Sequence, residues 1–119
     1  MDEKLILHRQ AAKTAVVRLA SDVSTICSTV RSSDLDAEMS KLAEELFESA
    51  YNAAANAKIL PTPNLREVEF VESQINRLYN LIIRQKSLNA RISNDLINRI
   101  SETAKDAREA VSLTLVAHK

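Results

Sequence analysis

The 119-residue chain contains no glycine, no tryptophan, one cysteine and two prolines. Average composition would supply about eight glycines. Glycine provides positive φ, close backbone approach to phosphates and the sharp turns of catalytic loops, so glycine-dependent phosphate loops and nucleophile elbows are excluded. Aromatic residues make up only 3% of a chain that is 45% hydrophobic, so a core has to be built from Leu, Ile, Val and Ala. Cys27 has no partner for an intramolecular disulfide and no companions for a cysteine-based metal site; it reads as a small buried hydrophobe in a reducing compartment. The apolar run in Met1–Leu7 is too short for a signal peptide, and no segment approaches the 18 or so apolar residues of a membrane span. A cytoplasmic protein without membrane attachment is expected.

Net charge is also missing, with 16 basic and 16 acidic residues. That balance argues against a protein that coats nucleic acid by overall charge. The distribution is uneven, however: residues 34–72 hold nine acids against three bases, and residues 73–101 hold five bases against one acid.

What is present is helical periodicity. Leu5, Ala12, Val16, Leu19, Val23, Ile26 and Val30 form one apolar stripe, predicting a helix over roughly 3–31. Ser32, Ser33 and Asp34 offer cap oxygens for a second helix, reaching to about residue 58, with Asp36 and Glu38 favouring its positive end. Its stripe runs from Leu35, Met39, Leu42, Ala43 and Leu46 to Ala50, Ala53, Ala54 and Ala57, narrowing to a face that lets a neighbouring backbone come close. Pro61 and Pro63 must end it. Asn64 and Glu67 have capping-box spacing at the start of a third helix, with a seam of Val68, Val71, Ile75, Leu78 and Ile82, continuing to about Leu88. Asn89 suits a terminator or the next cap, after which Ile92, Leu96, Ile100, Thr103, Ala107 and Val111 trace a fourth helix. No strand competes. The fold expected for residues 1–119 is a single all-α domain, an antiparallel up-down four-helix bundle.

No constellation carries catalytic chemistry. Di-iron bundles need Glu-x-x-His pairs on two helices, whereas this chain has only His8 and His118, neither preceded by Glu at that spacing. Ser21, Ser24, Ser28, Ser32 and Ser33 lack a nearby base, and Glu44, Glu45 and Glu48 have the spacing of a solvated helix face. No catalytic residue, metal ligand or cofactor is assigned, and the chain reads as a non-enzyme.

Two surface features remain. Arg77, Arg84 and Arg91 fall seven residues apart with Lys86 and Arg99 nearby, a stripe that suits either ordinary surface salt bridges or contact with phosphates. The third helix is also more apolar than one seam requires. Phe70, Tyr79 and Ile83, with Ile97 on the fourth helix, form either a wide buried face within one subunit or a second surface for self-association.

The segments Leu42–Ala50 (LAEELFESA) and Asn76–Arg84 (NRLYNLIIR), followed by an amphipathic terminal helix, resemble a bacterial four-helix-bundle family. That family includes proteins encoded in 23S rRNA intervening sequences and the accessory variability determinant of diversity-generating retroelements. The resemblance covers about residues 35–116 and rests mainly on Arg77-Leu78 and Arg84; Ala110–Thr114 stands where members often carry a glycine and a tryptophan. It implies a homopentameric barrel of bundles that binds nucleic acid and, in retroelements, a reverse transcriptase, without catalysis.

Two functions are therefore expected as alternatives. The first is a homo-oligomeric accessory protein that binds RNA or DNA through Arg77, Arg84, Lys86 and Arg91, self-associates through Phe70, Tyr79, Ile83 and Ile97, and has a reverse transcriptase as a further partner. The second is a helical protein-interaction adaptor or small regulator without nucleic-acid binding.

Overall fold

The computed structural model describes residues 3–33, 35–88 and 92–119. Within them the chain forms four helices and no strand: α1 (Glu3–Ser32), α2 (Ala37–Ile59), α3 (Leu65–Lys86) and α4 (Asn94–Ala117). Each packs on its sequence neighbours and α4 closes against α1. The result is an all-α, up-down four-helix bundle measuring 55 × 19 × 18 Å. No described helix is long and apolar enough to cross a membrane.

The stripes read from the sequence point inward. Val16, Val23, Ile26, Met39, Leu46, Ile75, Leu78, Ile82, Leu96 and Ile100 are buried in one continuous aliphatic core. Along the second half of α2 the core narrows to Ala50, Ala53, Ala54 and Ala57, all buried. Thr103 and Thr114 are buried on α4 because their hydroxyls donate to the carbonyls of Arg99 (2.9 Å) and Ala110 (2.7 Å) one turn back. The Cys27 thiol does the same across helices, donating to the Ala43 carbonyl at 3.0 Å, and burial pushes its pKa up to about 11. Gln74 is buried on α3, and its Oε1 has no partner among the described residues.

Helix ends show how a chain without glycine stops its helices. The C-caps Leu60, Ser87 and His118 all have negative φ (−81°, −67° and −86°), so none uses the left-handed closure that favours glycine. At the end of α1 the hydroxyls of Ser32 and Ser33 donate to the Thr29 carbonyl, at 3.1 and 2.7 Å. These two serines therefore close α1 rather than cap α2. The α2 cap is Asp36, whose Oδ1 accepts from the backbone N–H groups of Glu38 and Met39; Asp34 lies outside the described residues. Leu60 turns extended ahead of Pro61, as a residue preceding proline favours.

Asn64 caps α3 by accepting from the Glu67 N–H, but the box is half closed. The Glu67 carboxylate accepts from Asn56 Nδ2 on α2 instead, at 3.1 and 2.9 Å. At the bundle's same end His118 Nε2 lies 2.9 Å from the Pro63 carbonyl, clipping the end of α4 to the double-proline turn. The α3–α4 connector ends in Ser93, whose hydroxyl accepts from the Leu96 N–H and caps α4; the Asn89 expectation lies outside the described residues.

Candidate nucleic-acid interface

A helix packed in a bundle turns one stripe inward and leaves an outer row at the same alternation of three and four residues. On α3 that outer row is Arg66, Phe70, Ser73, Arg77, Asn80 and Arg84, every one exposed. The row itself contains no carboxylate, although Glu69 follows Arg66 at three-residue spacing on the same helix. Arg77 and Arg84 line a shallow groove of about 440 Å³ with Ser73, Asn76, Asn80, Leu81 and, from α2, Glu38. Among the described residues neither arginine is held in an ion pair. At 1.5 Å per residue Arg77 and Arg84 stand roughly 10 Å apart along the helix, with hydroxyl and amide donors around them.

The other cations of the expected stripe have different settings. Lys86 is half-buried and its Nζ donates to the Ile92 carbonyl at 3.5 Å, tying it to the α3–α4 connector. Arg91 lies outside the described residues. Arg99 pairs with Asp95 one turn earlier on α4, at 3.1 Å. The free part of the stripe is therefore Arg77 and Arg84, extended toward the start of α3 by Arg66, which the seven-residue spacing did not pick out. Reading the three–four alternation outward as well as inward finds it.

The four apolar residues expected at a self-association surface fall into two environments. Phe70 and Ile83 are exposed, whereas Tyr79 and Ile97 are half-buried and packed against the core. Sequence reasoning missed a larger exposed apolar group on α2. Phe47 and Tyr51 stack with ring centroids 6.5 Å apart at an interplanar angle of 23°. Both line a groove of about 480 Å³ between α1 and α2, together with Val17, Ala55, Lys58 and Ile59. Their spacing of four residues, outside the α2 core stripe, was the available signal.

Across the α1–α4 seam, Asp22 and Asp106 line one groove with Arg18 and Arg99. Burial first, and then the neighbouring Asp106 carboxyl, raise the Asp22 pKa above the ordinary range, while Arg18 opposes the shift. No group of three or more His, Cys, Asp and Glu residues that could hold a metal occurs among the described residues. His8 is exposed on α1. No family model, curated protein or solved structure matched the chain.

Proposed function

We propose that the protein is a non-catalytic accessory module that binds RNA or DNA by phosphate contact along the outer row of α3. The observation that carries this reading is the exposed α3 row Arg66, Arg77 and Arg84, interleaved with Ser73 and Asn80, with Glu38 of α2 the one carboxylate lining the groove of Arg77 and Arg84. Guanidinium groups grip phosphate oxygens with paired N–H donors, and hydroxyl and amide groups add neutral donors that fix register without reading bases. A chain with no net charge has to concentrate its cations on one surface to bind a polyanion, and this row does so. The family resemblance, which rests on Arg77-Leu78 and Arg84, points the same way. Repetition of the row in a homo-oligomer would strengthen it.

The adaptor alternative, docking a protein through α3 and α4, has less behind it. Its exposed members Phe70 and Ile83 are separated by roughly 20 Å along the helix, and Tyr79 and Ile97 are already packed on the core.

Fluorescence anisotropy with a labelled RNA hairpin and a labelled DNA duplex, across a salt series, tests the proposal. Wild type should bind with affinity falling steeply in salt. The folded Arg77→Ala/Arg84→Ala variant should lose affinity and flatten the log–log salt slope by about 1.5, the loss of two phosphate contacts. An unchanged slope and affinity would remove these residues from the interface.

A further inference from the structure

The α2 surface carries a second seam that the bundle does not use. Glu44, Glu48, Tyr51, Ala55 and Lys58 recur at steps of four and three, the spacing by which one helix meets another, and all but the half-buried Ala55 are exposed. Phe47 and Ile59 flank this seam at its two ends. Ile59 is 80% exposed and Tyr51 64%, large apolar areas for residues in the middle and last turn of a well-packed helix.

The charges on this face are ordered. Lys58 stands at one end, joined by Lys13 of α1 in an adjoining groove. Glu44 and Glu48 stand at the other, and only Glu44 has a partner among the described residues, Arg31 of α1 at 3.6 Å. A face that is basic at one end, apolar in the middle and acidic at the other complements itself when a second copy is turned through a half-rotation.

We infer that a second copy of this chain covers this face, with the two α2 helices antiparallel about a two-fold axis at the level of Ala53. That single axis matches both seam pairs at once: Glu48 of each copy meets Lys58 of the other and Tyr51 meets Ala55, with Phe47 and Ile59 on the two flanks of the contact. The contact covers the aromatic stack and fills the groove of about 480 Å³ between α1 and α2. Small Ala55 beside Tyr51 lets the helices approach closely at the axis. The α3 arginine row lies on another helix and is not part of this contact, so the inference stands or falls independently of nucleic-acid binding.

Charge reversal tests the pairing because each substitution acts twice in a symmetric dimer. Sedimentation equilibrium on the full chain, from about 5 to 500 µM, should show a reversible dimer for wild type. Glu48→Lys alone and Lys58→Glu alone should each weaken it about ten-fold or more by setting like charges together at two symmetry-related points. The double variant Glu48→Lys/Lys58→Glu should regain most of the wild-type association. Tyr51→Ala should dissociate the dimer while far-UV circular dichroism stays unchanged, as expected of an exposed side chain. A wild type that stays monomeric at the highest concentration would overturn the inference and leave the face to an unlike partner. So would a double variant no better than the singles, or an assembly indifferent to all of these changes.

Discussion

The α2–α3 seam and the α1–α4 seam lie over the same core, yet they handle carboxylates in opposite ways. Along α2–α3, Asp36 accepts from Gln85 at 3.2 Å and Glu67 accepts from Asn56 through both oxygens. Neutral amides satisfy the charge there, and for Asp36 the backbone N–H of Glu38, followed by the Gln85 bond, holds the carboxyl below its usual range. Along α1–α4, Asp22 and Asp106 face one another and Asp22 is raised. The contrast shows that a carboxylate near the surface of a bundle can be fixed without an opposite charge, provided that a donor rather than another acceptor comes across the seam.

The strongest test of this contrast removes what the two seams share. Ile75→Ala, at a fully buried position, should cost about 3 kcal/mol in urea unfolding. The loss should be the same at pH 5 and pH 8; a pH-dependent loss would mean that core and seams are coupled. Next in size is Asn56→Ala, which strips the cross-helix donors from the half-buried Glu67. It should destabilise by about 1.5 kcal/mol, the scale of a hydrogen bond to a charged group. An effect near zero would show that solvent replaces the amide freely, and the α2–α3 seam would lose its distinction.

The smallest effect has the opposite sign. Asp22 has a folded pKa above its unfolded value, so its contribution to stability is fully present below the ordinary carboxylate value of 3.8 and is lost as pH rises through the folded pKa. Asp22→Asn should therefore stabilise the protein near neutral pH, by about 0.5 kcal/mol for so partly solvated a pair, and should flatten the pH dependence above 3.8. Asp36, with a lowered pKa, works the other way: its cap is present above 3.8 and is lost as pH falls below that value. Thermal melts from pH 3 to pH 8 separate the two residues, because only Asp36→Asn should alter the acid limb.

The inward half of the structure was legible in the sequence because a buried stripe needs apolar residues at each turn and leaves no other reading. The stripes of all four helices follow from that requirement, and the break at Pro61 and Pro63 from proline's missing donor and fixed backbone. Cap identities were less legible, since a hydroxyl or carboxylate near a helix end can serve either side of the gap. Ser32 and Ser33 turned back to Thr29, and the cap passed to Asp36. Glu67 had the spacing of a capping box but found Asn56, a partner on another helix that no local pattern reveals. In the candidate interface, Arg77 and Arg84 are exposed as their spacing suggests, whereas the Lys86 contact with Ile92 depends on how the connector folds back. The Phe47–Tyr51 stack is hidden among the acids of α2, because its four-residue spacing lies outside the buried apolar stripe that marks the helix.

Helix ends that all keep a negative φ, built without a single glycine, also bear on the state that the bundle unfolds into. Glycine is the residue that most enlarges the conformational range of a disordered chain, so a chain lacking it has fewer random conformations to gain on melting. The midpoint temperature shifts by the change in stability divided by the entropy of unfolding. With a smaller divisor, each packing contact in this bundle moves the melting temperature further than the same contact would in a glycine-rich protein of equal length.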